Sequence, residues 1–162
     1  MKMSLQIPNY KIRRFQNSDA QQIAQLFHDT VRNINSRDYS PLQVKAWAPD
    51  QIYFRNWATI CSQYYTYVAD CNGTIIGFAE LEDNGNIHCF YCHHYYQGCG
   101  IGRQLYQTIE SQAIQLQITH LVTAASITAQ PFFVKMGFSV VEQQRVNRRG
   151  ETFTNYLMEK YL

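Results

Sequence analysis

The chain has 162 residues, 46% of them hydrophobic, and a formal net charge of +2. This is enough for one substantial core and short of two comfortable domains, so a single domain over 1–162 is expected. The small charge gives no basic face for nucleic acid, and no apolar run reaches the roughly 18 residues of a membrane span.

The opening Met1–Pro8 lacks the apolar centre of a secretory signal, so a cytoplasmic protein with no membrane partner is expected. The five cysteines (Cys61, Cys71, Cys89, Cys92 and Cys99) are odd in number and irregularly spaced, which argues for free thiols. Tyr10–Phe15 reads as a first strand. Ser18 with Gln21 resembles a capping box, and Ile23, Leu26, Phe27, Val31 and Ile34 follow at helical spacing. Ser40-Pro41 starts a short helix with Pro at its first position, carrying Val44 and Trp47. A third helical piece is expected over 51–60. Tyr64–Ala69 reads as a strand, Asn72-Gly73 as a hairpin turn and Thr74–Leu81 as the return strand. Asp83-Asn84-Gly85-Asn86 turns the chain into a further strand, Ile87–His93.

Next comes Gln97-Gly98-Cys99-Gly100-Ile101-Gly102-Arg103, leading into a helix over Gly102–Gln117 with Ile101, Leu105, Ile109, Ala113 and Leu116 in one apolar stripe. A glycine-rich turn at a helix start gathers backbone N–H groups at the positive end of the dipole, which suits a phosphate or pyrophosphate. Side chains at Gly98, Gly100 or Gly102 would obstruct such a ligand. The spacing is not the dinucleotide-binding fingerprint, and Gly102-Arg103-Gln104 is not the end of a Walker A loop. His120–Ala125 follows as a buried strand, parallel to Ile87–His93 through a strand–helix–strand crossover. Ala129–Met136 is a short helix stopped at Gly137, and Phe138–Arg145 and Thr152–Met158 flank a turn around Asn147–Gly150.

This order, the loop residues Gln97, Gly100 and Gly102, and the downstream set Ala129, Phe132, Lys135, Gly137 and Phe138 together resemble the GNAT-type N-acetyltransferases over essentially the whole chain. Ser40-Pro41, Ala46-Trp47-Ala48, Ser126-Ile127-Thr128-Ala129 and Gln144-Arg145-Val146 further resemble the YafP-like branch of that family. The resemblance implies an α/β acyl-CoA N-acyltransferase fold, a mixed twisted sheet flanked by helices. It also implies acetyl-CoA as donor, and direct transfer to a primary amine of a small molecule or peptide in a ternary complex. By the same resemblance, backbone groups from Cys99 to Arg103 hold the pyrophosphate, with Gln97 and Gly98 leading into the cradle. The pantetheine arm lies between Ile87–His93 and His120–Ser126, near Tyr91, Cys92, Ser126 and Phe132.

Direct transfer needs a base for the amine and an acid for the leaving thiolate. His88, an imidazole suited to neutral pH, is the favoured base, with Glu80 as fallback. The chain departs from the family at Phe133, where many members carry Tyr, and at Ser126, where many carry Asn. Solvent, Ser126, Thr128 or a Tyr from another element is left to supply the proton, and a noncatalytic or regulatory acyl-CoA-binding domain is the alternative reading. Arg103 is a candidate phosphate contact. Tyr39, Trp47, Phe54 and Trp57 are candidate acceptor walls, and Arg145, Arg148 and Arg149 form a basic cluster. No metal is expected, because Cys89 and Cys92, three apart on a strand, point to opposite faces. The chain is expected to be a monomer or homodimer.

Overall fold

The computed structural model describes residues 9–162, so the opening segment read for a secretory signal lies outside the described residues. Strand β1 (Lys11–Arg14) leads to helix α1 (Ala20–Asn33). The expected capping box is displaced toward the chain start. Asp19, not Ser18, closes the turn by accepting from the Gln16 N–H at 2.8 Å, and Arg13 bridges Asp19 to Asp70 at 2.8 Å each. Helix α2 (Pro41–Trp47) begins as read from sequence: Ser40 Oγ accepts from Gln43 N–H, and the Gln43 side chain accepts from Ser40 N–H. Helix α3 (Trp57–Gln63) starts six residues later than expected because Asn56 is its cap, accepting from Thr59 N–H. Residues 51–56 are turns, held by the Trp57 indole N–H donating to Ile52 C=O at 2.9 Å.

Strands β2 (Tyr65–Cys71), β3 (Thr74–Leu81) and β4 (Asn86–Cys92) form an antiparallel meander. Helix α4 (Ile101–Gln115) carries the chain to β5 (His120–Ser126), parallel to β4. Helix α5 (Gln130–Lys135) and the hairpin β6 (Ser139–Arg148) and β7 (Glu151–Tyr161) complete a seven-stranded sheet among the described residues, ordered β1-β2-β3-β4-β5-β7-β6. Strand β6 runs three residues further than the sequence reading, to Arg148, and β7 three further, to Tyr161; Arg148 and Arg149 sit at the hairpin tip, within the turn expected from the sequence.

Alternation along the strands sorts side chains between two layers. Val68 and Phe78 join Ile23, Phe27, Val31 and Trp57 on the face covered by α1, α2 and α3. Their strand neighbours Ala69, Ala79 and Leu81 pack the opposite face, where Ile101, Leu105 and Ile109 of α4 and Phe133 after α5's first turn are buried. All five cysteines are free thiols. Among the described residues no helix is long and apolar enough to cross a membrane.

Candidate active site

The parallel ladder between β4 and β5 is brief: Asn86 pairs with Val122, Ile87 with Thr123, and there it stops. Beyond that point the strands part, and residues from both edges line one cleft of about 910 Å³. A bulge sits at the same place. Leu81 of β3 faces Ile87 and Glu80 faces Cys89, leaving His88 as the extra residue of β4. A bulge bends its strand and re-aims its side chains; here it coincides with the parting from β5.

Behind His88 lies Glu80, with 0% exposure. Its carboxylate is saturated. Arg55 donates to both oxygens at 3.0 and 3.2 Å, the Cys61 thiol donates at 3.1 Å, and His88 Nδ1 lies at 3.1 Å. Burial pushes the Glu80 carboxyl upward, but the His88 hydrogen bond, the Arg55 charge and the Cys61 thiol outweigh it and hold the group below the ordinary carboxylate range. An ionised carboxylate only accepts, so Nδ1 carries the proton and, in the neutral imidazole, the lone pair is on Nε2. His88 lines the cleft with its side chain 43% exposed. The arrangement can take a proton at Nε2, while Glu80 has no free lone pair to offer.

The donor atoms of Glu80, His88 and Cys89 lie within 4.8 Å of one another, a spacing that suits a metal. Arg55 already supplies the cation there, since its guanidinium reaches Cys89 Sγ at 3.3 Å as well as Glu80. Burial pushes the Cys89 thiol well above its usual range, so it is a poor thiolate ligand.

The glycine loop forms the far end of the cleft. Gly100 caps α4 in the left-handed region (φ 81°), and the first helical bond runs from Gln104 N–H to Gly100 C=O at 3.2 Å. The N–H groups of Ile101, Gly102 and Arg103 precede that bond and are left for a ligand. A Cβ at Gly98 or Gly100 would meet nothing within 4 Å, whereas at Gly102 it would press on the Phe132 ring at 3.1 Å. The first two glycines thus serve backbone dihedral and an open cradle; the third serves the packing of α4 on α5.

Of the residues expected to hold a cofactor, Tyr91, Cys92, Gln97, Gly98, Gly100, Ile101, Gly102, Arg103, Ser126 and Phe132 line the cleft. Cys99 does not: its N–H goes to Tyr96 C=O at 3.4 Å and its thiol turns toward the Gln97 carbonyl. The Cys92 carbonyl is also occupied, by Gln97 Nε2 at 2.8 Å and Thr30 Oγ1 at 3.2 Å, so Gln97 ties the loop to β4. Tyr91 packs its ring on Phe27 and Phe78. Ser126 Oγ accepts from Ala129 N–H at 3.0 Å and from Asn35 Nδ2 at 3.4 Å, leaving its own proton free. Phe133 is 2% exposed, edge-on to Phe90 and Phe138.

Tyr39, Trp47, Phe54 and Trp57 all line the other end. The basic cluster divides: Arg148 and Arg149 reach the cleft, while Arg145 is not on its wall. Arg55 is the residue that sequence reasoning missed. Its signal was an isolated cation inside the aromatic run Tyr53-Phe54-Arg55-Asn56-Trp57, and its partner is 25 residues away.

Parallel central strands that part over a glycine-loop helix start, inside a mixed seven-stranded sheet, define the acyl-CoA N-acyltransferase fold. The chain belongs to the GNAT acetyltransferase family: the family model described as an acetyltransferase (GNAT) domain matches residues 35–160. It is 34% identical over 150 residues to the uncharacterized N-acetyltransferase YafP of Escherichia coli strain K12, covering 93% of this chain and 95% of that protein. The fold is similar to that of a GCN5-related N-acetyltransferase from Rhodopseudomonas palustris (TM-score 0.88, 29% identity, both chains covered completely). It is also similar to the PaiA N-acetyltransferase of Thermoplasma acidophilum, solved with coenzyme A (TM-score 0.78, 17% identity, 95% of this chain and 99% of that one).

Proposed function

We propose that this acetyltransferase, acting as one domain, moves the acetyl group of acetyl-CoA directly to a primary amine within a ternary complex. The observation that carries the reading is His88: the extra residue of the β4 bulge, at the point where the cleft opens, with Nδ1 fixed by an ionised, buried Glu80. The open cradle over Gly98 and Gly100 and the free N–H groups of Ile101, Gly102 and Arg103 fit a pyrophosphate, with the Arg103 guanidinium beside it. The related PaiA enzyme holds coenzyme A, which supports the same class of cosubstrate here. The gap between β4 and β5 suits an extended pantetheine arm, bonded by strand groups that have no ladder partner.

Acetyl-CoA supplies the acyl group; the residues of the chain manage protons and position. His88 Nε2, directly or through one water, accepts the proton of the attacking amine, and Glu80 acts as a positioning residue that fixes the tautomer. The C–N bond forms as the C–S bond breaks. Ser126, whose hydroxyl proton is unclaimed, or solvent returns a proton to the departing thiolate, a role that Phe133 cannot fill. A positioned base of this kind contributes about 10²–10⁴-fold.

Calorimetric titration with acetyl-CoA, CoA and ATP, followed by thiol release from acetyl-CoA across an amine panel, tests the reading. Saturable binding of both CoA forms, weak binding of ATP and amine-dependent thiol release are expected. Tight acetyl-CoA binding with no acceleration by any amine would favour a regulatory acyl-CoA-binding domain. No binding of either CoA form would end both readings.

A further inference from the structure

The wall of the cleft carries five cationic side chains, Arg55, Arg103, Lys135, Arg148 and Arg149, and no carboxylate. Glu80 lies behind the wall, already neutralised by Arg55. Arg103 belongs to the glycine-loop end and Lys135 to the last residue of α5, within reach of a phosphate-bearing donor. Arg148 and Arg149 come from the β6–β7 tip, at the end walled by aromatic rings, and that positive charge is unexplained by a donor. Arg149 is fastened in place, donating to Ala46 C=O at 2.7 Å with its guanidinium 4.7 Å from the centre of the Phe54 ring. Arg148 makes no ion pair with any described residue and lines the same cleft as Tyr39 and Tyr91.

Two buried polar groups on the same wall lack partners. Trp47, 8% exposed, has an indole N–H near the Tyr91 hydroxyl but in hydrogen-bonding geometry with no group. Trp57, on the same cleft wall, is satisfied by Ile52 C=O, so the open donor is specific to Trp47. Asn155, 9% exposed and paired with Ser126 across β5 and β7, has an Oδ1 with no donor. Buried donors and acceptors are rarely left unpaired, so each of these calls for a partner, a water or a ligand group. A free N–H and an unpaired guanidinium on one cleft wall suit an anion; a free carbonyl oxygen across the ladder from Ser126 suits an N–H.

We propose that the acceptor is a small amine with an aromatic or branched apolar body that also carries a carboxylate, bound by Arg148 and the Trp47 N–H with Asn155 Oδ1 accepting from the amine. This rests on the acetyltransferase reading. It excludes polyamines and Lys-rich peptides, whose extra positive charge would meet Arg148 and Arg149 without a single carboxylate on the wall. The aromatic rings take the apolar body, and the anion sets its orientation so that the amine lies toward His88 and the β4–β5 gap.

Two arms test this separately. In the first, 3-phenylpropionate, which has the anion and ring but no amine, is titrated calorimetrically into the protein saturated with CoA. Saturable binding is expected, weakened at least tenfold in Arg148→Gln and several-fold in Trp47→Phe, which keeps the ring and removes the N–H. In the second, kcat/KM is compared for phenylalanine against phenethylamine and tryptophan against tryptamine, with spermidine as the polycation. The carboxylated member of each pair is expected to lead by at least tenfold, and Arg148→Gln to erase that lead. Equal rates within the pairs, a preference for spermidine, or 3-phenylpropionate binding that ignores both substitutions would overturn the proposal. Loss of thiol release with every amine would instead strike the acetyltransferase reading, and the 3-phenylpropionate arm would still decide the anion site.

Discussion

Replacing Arg55 by Met would strip the buried Glu80 carboxylate of its counter-charge while keeping much of the side chain's length against Trp57. The guanidinium now gives Glu80 two hydrogen bonds and lies 4.5 Å from the centre of the Trp57 ring. Removing one partner of a buried pair leaves an uncompensated charge, a loss of about 3–5 kcal/mol. The lost cation–π contact adds about 0.5–1 kcal/mol. For a chain of this length each kcal/mol moves Tm by about 2–4 °C, so the main loss alone lowers it by roughly 6–20 °C. The sign with pH is specific. In the native protein the Glu80 carboxyl is held below its usual range, so the pair stabilises fully above the ordinary carboxyl value of about 4.3 and fades as pH falls through the lower folded value. Without Arg55 only the His88 and Cys61 hydrogen bonds oppose burial, so the folded value rises from its native position, and the variant's loss shrinks as pH falls and grows as pH rises. Urea unfolding of wild type, Arg55→Met and Arg55→Met/Glu80→Gln at about pH 7.5 and about pH 4 reads this directly. A large loss at the higher pH, a small one at the lower, and recovery of more than half in the double variant are expected. A loss no larger than the about 1 kcal/mol of a surface pair, or equal losses at both pH values, would refute the reasoning.

His88→Ala should lower kcat by about 10²-fold or more with acetyl-CoA affinity unchanged; turnover equal to wild type between about pH 6 and 9 would remove His88 from the mechanism. Gly100→Glu puts a carboxylate into the cradle at a φ that L residues rarely adopt. Calorimetry should detect no acetyl-CoA binding to a protein that still unfolds cooperatively, and wild-type affinity would sink the loop assignment. Ser126→Ala should cost about 1 kcal/mol of stability, because the Ala129 N–H loses its acceptor, and should slow thiolate departure. Ser126→Thr should recover both, and an unchanged kcat in the alanine variant would assign the proton to solvent.

The parts legible in the sequence were those written in local periodicity. The stripe from Ile101 to Ala113 and the Ser40-Pro41 start each depend on residues a few positions apart, and the crossover that makes β5 parallel to β4 follows from the strand–helix–strand order those local signals give. The Gly100 cradle was legible for the same reason. Arg55 was not, because its role exists only once β3 brings Glu80 beneath the turn before α3. The unpaired Trp47 N–H was equally hidden, since Trp47 and Trp57 look alike until their surroundings are counted. Alternation misled at one point. Ile87 and Cys89, two apart, should share a face, yet Ile87 packs with α4 and α5 and Cys89 with α1.

That reversal has a genetic consequence. Between Ile87 and Cys92, His88 is the residue without a place in the ladder to β3, so its identity is uncoupled from strand register while its presence is not. Substitution there exchanges a functional group and one hydrogen bond to Glu80 without shifting the strand register. Removal of the residue restores simple alternation, turns either Ile87 or Cys89 out of its layer, and takes away the bend that accompanies the parting of β4 from β5. Reactive group and cavity are therefore inherited through a single codon. Amide hydrogen exchange would register the difference: the Phe90–Cys92 amides stay as labile as in wild type in His88→Ala and gain protection in a chain lacking residue 88.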